Sequence, residues 1–244
     1  MKTVAIIQAR MSSTRLPGKV LMDLCGQTVL ERVVRRIQCC RYVDEIIVAT
    51  STLPANDEIE AKCRQMHVPV FRGSESDVLD RFFKAAIAHN ADICVRVTAD
   101  NPLIDPALSD EIIRQFKQAN PPVDYASNKI PPSYPQGLDT EVFTIDALKR
   151  TWQHASLPYE REHVTIFIYE HPDQFRLLNI MSDVGRADWR WTLDALEDLE
   201  FIRQIYARLG PTNGFTWQQV VDLLKKEPAL CTINQHVLQK PIRE

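Results

Sequence analysis

Glycine is scarce in this sequence, at seven residues in 244. None of them makes a G-x-G-x-x-G or Walker A spacing, which argues against both the dinucleotide fingerprint and the P-loop. Long apolar runs are missing as well. The opening MKTVAIIQAR meets Arg10 after a few apolar residues, too short for a signal-peptide core, and no later stretch reaches membrane length. The six cysteines show no C-x-x-C spacing and mostly lie among apolar neighbours; they read as reduced thiols of a cytoplasmic protein rather than a disulfide or zinc framework. There is no basic excess, with 29 Lys and Arg against 32 Asp and Glu. A broad surface for nucleic acid or anionic membrane is therefore not expected, although a few arginines can still line a phosphate cleft.

What is present is an alternation of periods. TVAIIQ at 3–8, EIIVATS at 45–51, VPVFR at 68–72 and ICVRV at 93–97 are β-branched and nearly continuous in apolar residues, as buried parallel strands are. Between them, apolar residues recur at helical spacing: Val29, Leu30, Val33, Val34 and Ile37; then Leu79, Phe82, Phe83 and Ala86; then Leu108, Ile112, Ile113 and Phe116. A further helix opens near Asn56 or Asp57, with Glu60 in capping-box position. The pattern predicts an α/β fold with a mixed, mainly parallel sheet and helices on both faces. The second half is less regular. Strands are expected at 124–128, over GLDTEVFTI from 137, and near 175–181. Helices are expected over 145–155, 159–170, from Leu196 to a stop at Gly210 and Pro211, and from Thr216 to about Lys226. KIPPSYPQG at 129–137 reads as an ordered loop beside a site. Residues 1–210 are taken as one catalytic domain and 211–244 as a helical extension packed on it.

The loop from Arg10 to Lys19 follows the first strand, where open α/β sheets bind ligands. Arg10, Arg15 and Lys19 supply cations; Ser12 and Ser13 supply hydroxyl and backbone donors; Gly18 lets backbone approach a ligand. Guanidinium forks and an ammonium in one short loop suit a polyphosphate, whereas any one of them alone reads as a surface cation. Asp100, just past the fourth strand, points into the same crevice and suits a hard divalent ion, or else merely forms a turn with Asn101 and Pro102. Asp194, three residues before Glu197, has the spacing of a helix cap. Asp139 and Glu141 alternate on the GLDTEVF strand and share one face, either an acceptor pocket or solvent. Ser76 reads as a helix cap; Ser74 and Arg81 are further candidates near the base.

QARMSSTRLPGKVL resembles the signature of the cytidylyltransferase family that includes the CMP-ulosonate and CMP-sialate synthetases, closest to its spore-coat polysaccharide branch. RVTADNPLIDP at 96–106, GLDTEVF at 137–143, EREHVT at 160–165 and WTLDALEDLE at 191–200 resemble later blocks of the family in order. The resemblance implies a nucleotide-diphospho-sugar transferase type fold and a cytoplasmic homodimer. It also implies magnesium held by Asp100 and Asp194, and CMP transfer from CTP to an acidic sugar for surface polysaccharide. By the same resemblance, Ala9 and Thr98 join Arg10, Ser12, Ser13, Arg15 and Lys19 around the nucleotide. Arg10, Arg15, Lys19 and Asp100 carry the catalysis, and Arg161 and His163 join Asp139 and Glu141 around the acceptor. From the residues alone, Arg161 and His163 equally suit a charged helix surface. The residues alone leave rival readings: transfer to a sugar phosphate or phosphonate, a glycosyltransferase (although no D-x-D is present), or a nucleotide-binding regulator.

Overall fold

The structure is a computed structural model that describes residues 1–183, 185–210 and 212–239. Pro211 and residues 240–244 of the expected extension lie outside the described residues. Its frame is a seven-stranded sheet in the order β5-β4-β1-β6-β8-β7-β9. The strands are β1 (Thr3–Gln8), β4 (Glu45–Ser51), β5 (Val70–Gly73), β6 (Ile93–Thr98), β7 (Tyr125–Ser127), β8 (Glu141–Thr144) and β9 (Leu177–Asn179); β2 (Asp23–Leu24) and β3 (Gln27–Thr28) form a small separate hairpin. Pairing is parallel between β5, β4, β1 and β6, antiparallel on both sides of β8, and parallel again between β7 and β9. Only β8 runs against its neighbours, so the sheet is mixed and mainly parallel as the strand composition predicts.

Side chains two apart on a strand share a face, and the sheet sorts its apolar residues that way. Ala5, Ile7 and Val48 enter a core with α1 (Val29–Ile37), α2 (Asp57–Gln65), α4 (Pro106–Gln118), α8 (Leu196–Leu209) and α9 (Trp217–Lys226). Val4, Ile6, Ile47 and Ala49 face a second core with α3 (Val78–Ala88), α5 (Ile145–His154) and α7 (Ile166–Glu170). Each buried Val or Ile among them contributes roughly 1.5–3 kcal/mol. The short helix α6 (Pro158–His163) completes the set. Beyond residue 210, Phe215, Trp217, Val220, Val221, Leu224 and Leu230 join the first core.

Local capping explains where helices begin. The Thr28 hydroxyl accepts from Glu31 N at 3.2 Å, and Asp105 Oδ1 accepts from Leu108 N at 2.8 Å. Two expected caps fall elsewhere. Asp77, not Ser76, caps α3, accepting from Asp80 N at 2.9 Å, because Ser74 has already taken the amide of Asp77 at 3.0 Å. Asp57 and Glu60 do not form a capping box; they hold Arg72 Nη1 at 2.7 and 2.8 Å, a demand from β5 that local spacing does not reveal.

The expected helix over 159–170 is broken at Val164. This fully buried residue has φ 62° and ψ −55°, and Thr165 N donates to His163 O at 2.6 Å across it. That is a γ-turn of the rarer positive-φ kind, which a β-branched residue adopts only under strain. The expected strand over GLDTEVFTI is regular only from Glu141. Its start is an abutment: Gly137 has φ +104°, and a Cβ there would lie 2.7 Å from Trp191 C and 2.8 Å from Thr192 N. Gln136 N and O pair with Trp189 O at 2.9 Å and Trp191 N at 2.7 Å, so the proline-rich loop is stitched to the segment that carries Asp194. Gly137→Ala is expected to destabilise the protein by about 2 kcal/mol or more, since it adds both a positive-φ penalty and a backbone clash; urea unfolding measures it.

Candidate functional site

The loop after β1 is shaped by its own backbone. Met11 O accepts from Ser13 N at 2.9 Å and from Gly18 N at 3.0 Å, with Gly18 at φ 72°. Asn56 Oδ1 receives Met11 N at 2.9 Å, which ties the loop to the segment after β4. Ala9 is buried and its amide is spent on Ala49 O at 3.1 Å. Ser13 Oγ accepts from Leu16 N at 3.3 Å, and Ser12 Oγ bonds Glu75. The closed loop delivers its cations at separate points.

Lys19 reaches deepest. Its Nζ donates to Asp100 Oδ2 at 2.7 Å, Asp194 Oδ1 at 2.8 Å and Leu193 O at 2.8 Å. Burial works against its charge, but Asp100 and then Asp194 outweigh burial and raise its pKa. Asp194 is half-buried; burial would raise its pKa, and Lys19, Arg190 and Arg15 together lower it. Arg15 Nη2 lies 2.7 Å from Asp194 Oδ2, and Arg190 Nη2 lies 2.6 Å from the same oxygen. The segment 190–194 is fastened over the end of β6 by Leu193 N donating to Asp100 O at 2.8 Å.

Asp194 is therefore not the helix cap that its spacing suggests. Asp198 does that work, accepting from Asp194 N at 2.8 Å and Ala195 N at 3.0 Å, and it holds Arg190 Nε at 2.9 Å. The Asp194 carboxylate is thereby left for the cations. Both Asp100 and Asp194 aim an oxygen at one nitrogen, and this donor pair fits a hard divalent ion that takes one or two carboxylates and completes its shell from phosphates and water. No group of three or more His, Cys, Asp or Glu side chains converges among the described residues, so protein ligands alone would leave that shell incomplete.

A second polar cluster adjoins the first. Glu141, the first residue of β8, is buried against Arg96 Nη1, accepts from Tyr125 OH at 2.7 Å, and from Thr165 Oγ1 at 2.5 Å. Burial would raise its pKa; Arg96 and Lys129, then the Thr165 and Tyr125 hydroxyls, bring it down to about 2. Arg96 Nε also donates to Gln8 Oε1 at 3.0 Å. Asp139 is the opposite case. It has no hydrogen bond or ion pair with a described side chain, and burial raises its pKa, with Lys129 opposing and Glu141 and Asp100 reinforcing. His163 stands among Arg96, Lys129 and Arg10; burial and then Arg96 lower its pKa, so the neutral imidazole is favoured.

Part-buried Arg10, Lys129, Asp139 and His163 and the exposed Glu162 thus cluster beside Asp100, with Arg10 Nη2 3.1 Å from Glu162 Oε1. Thr98 ends β6 in register with Gln8. Two residues expected at the acceptor are otherwise engaged. The Glu141 carboxylate is saturated within the protein. Arg161 clasps Asp77 through Nε at 3.0 Å and Nη2 at 2.6 Å and donates to Trp152 O at 2.8 Å, pinning α6 to the start of α3. Arg81 is likewise sealed, only 1% exposed, with Nη1 on Ser74 O at 2.6 Å, and burial lowers its pKa to about 10. Conversely, Lys129 and Arg190 were not singled out from sequence. A lysine opening a proline-rich loop and an arginine four residues before Asp194 were the available signals. A groove of 1370 Å³ elsewhere, beside β9 and lined by Asn120, Arg150 and Phe175, includes none of these residues.

Because the folded-state pKa of Glu141 lies below its ordinary 4.5, its ionisation stabilises the fold above pH 4.5 and that contribution is lost as pH falls towards 2. Acid unfolding of Glu141→Gln, followed by tryptophan fluorescence, is expected to be flatter across that window than for the parent, with lower stability at pH 7.

Comparisons with known proteins fit this geometry. The family model for cytidylyltransferases matches residues 4–227. An uncharacterised protein of Methanocaldococcus jannaschii is 38% identical across 100% of this chain and 99% of its own. The spore coat polysaccharide biosynthesis protein SpsF of Bacillus subtilis is 34% identical over 93% of this chain and 95% of its own. The 3-deoxy-manno-octulosonate cytidylyltransferase of Acidobacterium capsulatum is 27% identical over 84% and 96%. Among solved structures, a cytidylyltransferase of Leptospira borgpetersenii superposes with a TM-score of 0.92 at 29% identity, covering 99% of this chain and 100% of that one. A match that spans nearly the whole chain, on a sheet whose first loop and two aspartates meet around Lys19, puts this protein in the cytidylyltransferase family.

Proposed function

We propose that this protein transfers CMP from CTP to an acidic sugar of the nonulosonic-acid type, with release of pyrophosphate, in the synthesis of a surface polysaccharide. The observation that carries this reading is the Lys19 ammonium between Asp100 and Asp194, with Arg15 at 2.7 Å on the far side. A triphosphate needs this alternation of cations and metal-binding carboxylates. Displacement at the α-phosphorus requires positioning and charge neutralisation more than covalent chemistry. Arg10, Arg15 and Lys19 hold and neutralise the β- and γ-phosphates as pyrophosphate leaves. Magnesium, held by Asp100 and Asp194 when bound, supplies Lewis-acid stabilisation of the phosphoryl oxygens.

The acidic acceptor is supported by the second cluster. Lys129, Arg10 and the neutral His163 make a cationic and hydrogen-bonding wall for a carboxylate, and Asp139 accepts from sugar hydroxyls. A carboxylate so placed costs the fold stability, which a binding role accounts for. SpsF is a spore-coat polysaccharide biosynthesis protein, and the 3-deoxy-manno-octulosonate enzyme is named for an acidic sugar. The resemblance also implies a cytoplasmic homodimer; consistent with this, no helix among the described residues is long and apolar enough to cross a membrane.

Pyrophosphate release from CTP with magnesium, screened over acidic sugars, sugar phosphates and phosphonates, tests the reaction; release only with phosphorylated acceptors would redirect the assignment. Asp100→Ala is expected to lower turnover by about 10²-fold or more. Asp139→Asn removes a poorly solvated charge. It is expected to raise the melting temperature at pH 7 and the KM for the acceptor, leaving the KM for CTP unchanged.

A further inference from the structure

The family match ends at residue 227, yet the chain beyond it returns to the triphosphate side of the site. The turn of 3₁₀ helix over Pro228–Ile233 seats Leu230 in the core. Asn234, 3% exposed, then locks in: its Nδ2 donates to Arg190 O at 3.0 Å and Asp198 Oδ1 at 2.9 Å. From this anchor the chain crosses to the arginines. Gln239 Oε1 accepts from Arg190 Nη1 at 2.6 Å, and Leu238 O accepts from Arg15 Nη1 at 2.9 Å. The Leu238 side chain is 81% exposed, so its backbone makes the contact and apolar packing does not.

We propose that residues 235–239 are a positioning strap for the pyrophosphate end of the nucleotide site, acting through Arg15 and Arg190. This rests on the cytidylyltransferase reading and names a part of that site which the family match leaves out. The chemistry of the contacts gives the reason. Arginine carries five N–H donors in a rigid plane. Asp194 takes Arg15 through Nη2 and the Leu238 carbonyl takes it through Nη1, which fixes the plane and leaves other donors free. Arg190 is buried and engaged more fully, by Asp194 and Asp198 on one side and by Gln239 and Gln136 on the other, so that it braces Arg15 through their shared Asp194. The acceptors contributed by the strap are neutral, a backbone carbonyl and an amide. They orient the guanidinium groups without cancelling the charge that a phosphate must feel. A carboxylate at 239 would orient and neutralise at once. Pre-ordering two rotamer-rich side chains lowers the cost of binding, and losing one such orientation corresponds to a charge-assisted hydrogen bond.

The test compares the full chain with a chain ending at Asn234, Gln239→Ala and Gln239→Glu. Calorimetric binding of pyrophosphate and of CTP with magnesium is measured, together with the KM for each substrate. The truncated chain keeps its Asn234 anchor, and Gln239→Ala guards against any loss of folding on truncation. The expected result is affinity for pyrophosphate and CTP weakened about tenfold on truncation and less for Gln239→Ala, with the acceptor KM unchanged. Gln239→Glu separates orientation from mere bracing. A brace would be strengthened by the added charge, so a stable protein with weaker pyrophosphate binding supports the proposal. Parental affinities for pyrophosphate and CTP in the truncated chain and both Gln239 variants overturn it while leaving the cytidylyl reading intact. Failure of the full chain to bind CTP at all overturns that reading first, and the strap with it.

Discussion

One buried ammonium organises the site. Lys19 is held by Asp100, Asp194 and the carbonyl of Leu193, the three bonds spanning 2.7–2.8 Å. Two carboxylates brought this close repel each other, and burial makes that repulsion worse. A positive charge between them is what lets the end of β6 and the segment 190–194 lie together. The same arrangement leaves the two carboxylates converged and turned inward on one nitrogen.

Around that pair, charge is graded by how completely it is satisfied. Glu141, Arg96, Arg161 and Asp77 are engaged on nearly every side and act as struts. Asp139, Lys129 and His163 are less engaged and cluster beside Arg96 and Glu141. The strained γ-turn at Val164 lies at the junction: Thr165, on one side, braces Glu141, while His163, on the other, stands among Arg96, Lys129 and Arg10. Strain of this kind persists where surrounding contacts over-determine the backbone, and here a strut holds one side of the turn.

Periodicity was a good guide to the sheet. The β-branched runs at β1, β4 and β6 and the helical apolar spacing of α1, α3 and α4 are local signals, and they survive because each element's buried face is written in its own residues. Capping was a poorer guide. Ser76, Asp57 and Asp194 each had the right local spacing, and each lost to a partner far away in sequence: Asp57 to Arg72 on β5, Asp194 to Lys19 of the first loop, and Ser76 to an arrangement in which Ser74 and Asp77 share the turn. A short polar side chain can serve several donors of similar strength, so local geometry ranks the options without deciding between them.

From the sequence alone came the α/β class, the cationic loop between Arg10 and Lys19, and the candidacy of Asp100, because strand period, loop composition and family likeness are properties of contiguous residues. Only the tertiary structure decided which charges are spent and which remain available. It made Glu141 and Arg161 struts, left Asp139 without a hydrogen-bond partner among the described side chains, drew Lys129 and Arg190 into the site, and carried Leu238 back to Arg15. The physical reason is that the state of an ionisable side chain is set by the groups folded around it and by the water they exclude, and neither is encoded at its own position.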